Sequence, residues 1–92
     1  MKFRIEYNEE KNLLLKETRG VGFEDIIEAI DTGNLLDDID HFNKEKYPNQ
    51  RIFIVKIKTN IYAVPYIIDQ KRDIVFLKTI YPNRRLKRKY LK

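Results

Sequence analysis

The chain has 92 residues, 42% of them hydrophobic and 36% charged, with three Gly, three Pro and no Cys. Such a composition describes one small folded domain, residues 1–92, too small for an elaborate cofactor cavity and without disulfides, thiolate metal ligands or thiol nucleophiles. The net charge of +5 is unevenly spread: residues 1–46 hold seven Lys/Arg and twelve Asp/Glu, a balance of −5, whereas residues 47–92 hold twelve and two, a balance of +10.

The opening MKFRIEYNEEK is charged throughout, and the longest apolar run, Ile61–Ile68, falls far short of the roughly 18 residues that span a bilayer. The expectation is therefore a soluble, cytoplasmic protein. Phe3, Ile5 and Tyr7 alternate with Lys2, Arg4 and Glu6, the period of a half-buried strand. Asn8 then caps a helix whose first turn carries Glu9 and Glu10, where the helix dipole favours anions. That helix takes in Leu13–Leu15 and stops near Gly20.

Phe23, Ile26, Ile27 and Ile30 repeat at i, i+3, i+4, i+7, one face of a second helix, with Gly33 placed to cap its C-terminus. Leu36–Phe42 reads as an edge strand and Asn43–Gln50 as an exposed loop. Beyond Gln50 the period becomes two. RIFIVKIK and IYAVPYII are strands joined by a short connection at Thr59-Asn60, and DIVFLKTIY is a third, reached through Asp69–Arg72. Pro65 has no N–H to donate, which predicts a strand at an edge or one bulged there. Pro82 and Asn83 break the last strand, and Arg84–Lys92 predicts a terminal helix. The order β-α-α-β-β-β-β-α implies an α+β domain, an antiparallel sheet with helices packed against it.

No glycine-rich phosphate loop, G-x-S-x-G or H-E-x-x-H motif occurs, so no metal or cofactor is expected. His41, the only His, lies in DDIDH. The spacing from Asp37 to His41 matches no specific metal motif, and a solvated acidic edge is the plainer reading. The basic end is more informative. On a helical wheel Leu86 and Tyr90 share one side and anchor the helix, while Arg84, Arg85, Arg88, Lys89 and Lys92 fall on the opposite arc. Arginine forks suit phosphate oxygens, and Tyr62, Tyr66, Tyr81 and Tyr90 add aromatic faces on which bases stack. Core packing is the competing reading for each tyrosine. Nucleic acid fits this end better than a membrane, because the helix has too little apolar face for interfacial insertion. The alternative is that the acidic and basic halves are solvated or pair with each other.

YNEEKNLLLKETRGVGFEDIIEAI and FLKTIYPNRRLKRKYLK together resemble BrnT-type toxins of toxin–antitoxin modules, a family with a RelE-like fold. In that family an early strand leads into a D/N-x-x-K helix, and a short H-G-V-S-F-E-E-A segment opens the next. Arg19-Gly20-Val21-Gly22-Phe23-Glu24-Asp25 aligns with that segment, with Arg19 in place of His and Gly22 in place of the capping Ser. Thr79–Arg84 replaces the usual lead into the final helix.

The resemblance implies an endoribonuclease that arrests growth, held inactive by an antitoxin that is typically a ribbon-helix-helix protein. Its substrate would be RNA, free or ribosome-bound, and a homodimer is conceivable. The implied chemistry is attack of a ribose 2′-hydroxyl on the adjacent phosphate. In that chemistry Lys78 would be the proton acceptor, Arg84 and Arg88 would stabilise charge, and Tyr81 or Tyr90 would donate a proton or stack a base. Arg85, Lys87, Lys89 and Lys92 would bind RNA. Two other readings stand beside it: a non-catalytic nucleic-acid-binding module, and a protein-interaction module whose basic helix docks an acidic partner.

Overall fold

In the computed structural model, which describes residues 3–91, β1 (Arg4–Tyr7) enters α1 (Glu9–Arg19) through Asn8. The Asn8 side-chain oxygen accepts the Lys11 N–H at 2.9 Å, and Gly20 closes the helix in the left-handed region at φ 70. Lys2, expected in the first strand, and Lys92, expected to bind RNA, lie outside the described residues. Helix α2 (Phe23–Asp31) buries Phe23, Ile26 and Ala29. Its C-cap is Thr32; Gly33 stands one residue further on, at φ 86, and its N–H reaches the Ile30 carbonyl at 3.2 Å.

The start of α2 is capped from outside. Gly22 has no side chain to offer, and the Phe23 N–H donates instead to Asn12 Oδ1 of α1 at 2.7 Å. Asn12 Nδ2 in turn donates to Glu24 Oε1 at 2.7 Å, and Lys16 Nζ reaches Glu24 Oε2 at 2.6 Å. The Asp25 carboxylate accepts the Gly22 N–H at 2.8 Å. Asn12 is only 1% exposed, so an unmet amide there would be costly, and both ends of its side chain are satisfied. Gly22 follows from this arrangement: a Cβ there would lie 2.8 Å from Asn12 Oδ1 and 2.6 Å from Lys16 Cε. The capping oxygen of the neighbouring helix fills the space a serine would need.

The remaining elements are β2 (Leu35–Asp40), β3 (Arg51–Ile57), β4 (Asn60–Asp69), β5 (Ile74–Leu77), the two-residue β6 (Tyr81–Pro82) and α3 (Arg84–Tyr90). The protein is thus α+β, with three helices and one sheet in the order β1-β5-β4-β3-β2, β6 pairing separately with β4. The sheet is mixed rather than antiparallel. Strands β2 to β5 form an antiparallel meander, but β1 runs parallel to β5, with Ile5 opposite Val75 and Tyr7 opposite Leu77. Helices α1 and α2 carry the chain from β1 to the far edge, the kind of long connection a parallel pair requires. Strand β2 is the expected edge, bulged between Leu35 and Asp37. The β3–β4 hairpin turns through Lys58-Thr59, with Lys58 at φ 56, and Asn60 already pairs with Ile57.

Pro65 is the larger surprise, because β4 is central. The residue opposite it in β3 is Ile52, and on its other side Lys78 N–H donates to the Pro65 carbonyl at 2.8 Å. In a strand the N and O of one residue point to the same neighbour, so the missing N–H also faces the β5 side. There the neighbouring run is interrupted: β5 stops at Leu77 and pairing resumes with β6. The expected irregularity exists, but it sits in the partner strand.

Alternation sorts the sheet into two faces. Phe53, Val55, Tyr62, Val64, Tyr66, Val75, Leu77 and Ile80 pack with Leu15, Val21, Phe23, Ile26 and Ala29 under α1 and α2. Ile52, Ile54, Ile61 and Ala63 face the other way and are covered by Leu86 of α3.

Two stability outcomes follow. Gly22→Ser, which supplies the side-chain cap, should destabilise the fold by about 1–3 kcal/mol in urea denaturation, because overpacking against Asn12 outweighs the cap. Glu24 is held at a pKa of about 2, below its ordinary 4.5, chiefly by the Lys16 hydrogen bond and then by Asn12. A carboxylate depressed in the folded state stabilises above the unfolded pKa and loses that contribution as pH falls. Glu24→Gln should therefore melt below wild type at pH 6, and the gap should close between pH 4.5 and 2.

Candidate nucleic-acid interface

The basic end is built on a short, firmly anchored helix. Asn83 caps α3 by accepting the Leu86 N–H at 3.1 Å. Leu86, 7% exposed, packs on Ile52, Ile54, Ile61 and Ala63, with Ile39, Tyr81, Tyr90 and Leu91 around them. At the far end the Tyr90 hydroxyl donates to Asp37 Oδ2 on β2 at 2.7 Å. Helix α3 therefore crosses the sheet from β4 over β3 to the β2 edge. Leu86 and Tyr90 are its anchors, as the wheel predicts.

Its cations stay in water. Arg84, Arg85, Lys87, Arg88 and Lys89 are all exposed, and among the described residues none forms an ion pair. Arg84 and Arg85 stand in the first turn, where the dipole would prefer acids, so their charge is uncompensated locally. The helix divides the five between two flanks. Arg84, Lys87 and Arg88, with Leu91, line a concavity of about 510 Å³, and Arg84 and Lys87 also face Asn60, Ile61, Pro82 and Asn83. At 100° per residue, with Leu86 and Tyr90 toward the sheet, Arg85 and Lys89 occupy the opposite flank. That flank looks along β4 toward Pro65.

The strand break sets what lies there. Regular alternation would put Leu77, Thr79 and Tyr81 on one face and Lys78 and Ile80 on the other. Instead Ile80 is buried with Leu77 under α1 and α2, so the phase slips by one between them. Tyr81 is delivered to the α3 side, opposite Ala63. Phe76, between Val75 and Leu77, faces that side as well, and Lys78 Nζ lies 5.3 Å from the centre of its ring. The slip thus puts Lys78 and Tyr81 on one face. Their backbones, opposite Pro65 and Ala63, are separated by about 6–7 Å along β4. Burial raises the Tyr81 hydroxyl above its ordinary pKa.

Of the expected catalytic set, the structure brings together Lys78 and Tyr81, with Arg85 on the facing flank of α3; Lys89, on the same flank, lies at the β2 end beside Asp37. Arg84 and Arg88 turn to the outer concavity. Tyr90 is committed to Asp37: that hydrogen bond raises the tyrosine pKa and lowers the aspartate's, a pairing that holds the helix rather than one that releases a proton. Tyr62 and Tyr66 are buried on the other face, which is the packing reading for both.

The acidic stretch also resolves into partners. Asp37 takes Tyr90, while Asp38 accepts from the Tyr66 hydroxyl at 2.7 Å and from Arg51 Nε at 3.1 Å. Asp40 pairs with Arg51 at 2.7 Å and with Lys44 at 3.1 Å. His41 Nδ1 accepts the Asn43 N–H at 3.0 Å, and its ring lies 4.6 Å from Tyr47 in the turn beyond β2. Asp37 as the anchor of α3 was not evident in sequence; the one available signal was three aspartates too close together to share one strand face.

Compared with known proteins, the chain matches no family model, no curated protein and no solved structure. If Tyr90 holds the helix, Tyr90→Phe should speed amide exchange across residues 86–91 in hydrogen-exchange mass spectrometry. Any activity toward RNA should be retained when α3 is docked.

Proposed function

We propose that this chain binds RNA along α3 and the adjoining sheet face and cuts it, acting as the toxin of a toxin–antitoxin pair with a RelE-like fold. The observation that carries the reading is the exposed, unpaired set of cations on α3 beside Lys78 and Tyr81. Five like charges on seven residues repel one another and form no ion pair within the described residues, which leaves a concentrated positive field for an external polyanion. The succession of strand, two helices, meander and basic terminal helix accords with the family resemblance in the sequence, as does a late tyrosine near the basic end.

The chemistry assigned is transesterification. The 2′-oxygen attacks phosphorus, the bond to the 5′-oxygen breaks, and a 2′,3′-cyclic phosphate and a 5′-hydroxyl result. The 2′-hydroxyl proton passes to water, and Lys78 and Arg85 meet the charge that builds on the phosphoryl oxygens. Tyr81, with its pKa raised by burial, keeps its proton at neutral pH and gives it to the leaving oxygen. Arg84, Lys87 and Arg88 bind flanking phosphates or, in the inactive pair, an antitoxin of ribbon-helix-helix type. A second reading, binding without cleavage, is favoured by the commitment of the Tyr90 hydroxyl to Asp37, which leaves fewer proton-transfer groups at the face.

The purified protein should yield cyclic-phosphate ends from RNA and slow growth when induced. Lys78→Ala and Arg85→Ala should each slow cleavage about 100- to 1,000-fold with circular dichroism unchanged. Binding to a single strand should weaken with salt at a log–log slope near −3.5, the value for about five neutralised phosphates. Binding with that slope but no cleavage, on free or ribosome-bound RNA, selects the second reading. Absence of both binding and growth inhibition overturns the proposal.

A further inference from the structure

Helix α3 covers only part of its side of the sheet. Its contacts end with Ile52, Ile54, Ile61 and Ala63, yet the same face continues past Pro65 to Ile67, Phe76 and Glu6, which stand side by side in register. Phe76 and Ile67 are both half-buried there, an apolar strip with no helix over it. Along β4 the residues that border it alternate in kind: Tyr81 opposite Ala63, Lys78 opposite Pro65, Phe76 opposite Ile67. With Arg85 on the near flank of α3, the order is cation, ring, cation, ring over about 13 Å from Ala63 to Ile67.

We infer that Phe76 is a stacking platform for a base and that this uncovered half of the sheet makes the site selective for single-stranded RNA. The inference rests on the RNA reading above and specifies the form of RNA. An aromatic ring takes a base on its face only if that base is free of its neighbours, which a duplex does not allow. The charges around the ring fix the side on which the sugar-phosphate chain runs. On the β5 flank the Lys78 ammonium lies over the Phe76 ring, 5.3 Å from its centre, and a base that stacks there displaces it toward the adjoining phosphate. On the β1 flank Glu6 lies beside Phe76, its carboxylate paired with Arg4 Nε at 2.9 Å, so that pair offers a phosphate no net positive charge. The sugar-phosphate chain is therefore drawn to the Lys78–Arg85 side, and its bases project over Phe76 and Tyr81. An acidic protein would use the cations but has no need of the ring.

The test uses 2′-O-methyl RNA, which lacks the attacking hydroxyl, carrying 2-aminopurine, as a single strand and as a duplex, with polyglutamate as the acidic-polypeptide probe. Wild type should bind the single strand more tightly than the duplex and quench its fluorescence. Phe76→Leu, which keeps the apolar bulk and loses the ring, should weaken single-strand binding about 5- to 100-fold. Its duplex affinity and salt slope should match wild type, which also reports that it is folded, and Phe76→Trp should restore binding. If wild type binds RNA and Phe76→Leu binds the single strand equally well, the stacking assignment falls and the RNA reading survives. If polyglutamate binds and Phe76→Leu weakens it to the same extent as RNA, the strip is a protein-docking surface and the inference is overturned. If wild type binds no RNA at all, both proposals fail together.

Discussion

Pro65 sits in the middle of a central strand with no N–H to give, and the chain beside it lets go there. A ladder needs donors and acceptors from both strands; at this position β4 offers only a carbonyl, which takes the Lys78 N–H. The three residues from Lys78 to Ile80 leave the strand, and Ile80 drops into the core with Leu77 one position later than alternation allows. From that one-residue slip follows the placement of Tyr81 on the α3 face, next to Lys78. It also starts the path of the chain through Pro82 and Asn83 onto the sheet. A donor at residue 65 would permit a continuous last strand, and Tyr81 would then point into the opposite core.

The second constraint is electrostatic. The acidic half of the chain supplies structural partners: Asn12 and Glu24 join the two helices, and Asp37, Asp38 and Asp40 tie the edge strand to Tyr90, Tyr66, Arg51 and Lys44. Because adjacent strand residues point to opposite faces, Asp37 can hold α3 while Asp38 and Asp40 serve the other side. Of these acids only Asp37 meets the terminal helix, through the Tyr90 hydroxyl and with Lys89 nearby. In the basic half Arg51 and Arg72 are paired with aspartates, while the cations of α3 keep their charge in solvent, beside Lys78 at the strand end. Segregation of this kind costs self-repulsion in the folded state and gives a strong, localised field for a polyanion.

Local features were legible wherever the physics is local. The Asn8 and Gly20 boundaries of α1, the apolar stripe of α2, the alternation of β3 and β4 and the anchoring pair Leu86 and Tyr90 all follow from neighbours within a turn or two. What failed did so at longer range. Gly22 read as the loss of a cap, because the oxygen that replaces the cap comes from Asn12, ten residues away and on another helix. Pro65 read as an edge, because sequence does not say which of two neighbouring strands absorbs an irregularity. Arg84 and Arg88 could not be assigned to a flank from sequence, because a wheel without a docked sheet cannot distinguish one flank of a helix from the other.

The sequence by itself determined the fold class, most element boundaries, the separation of charge and a cationic, tyrosine-bearing terminus, since these depend on composition and on periods of two or 3.6 residues. Only the tertiary structure decided that β1 lies parallel to β5 and that α3 covers half a face. It alone decided, too, that Lys78, Tyr81 and Phe76 line one strip with Arg85 beside it. Those outcomes depend on strand order and register, which are set by contacts between residues far apart in the chain, where no local pattern records them.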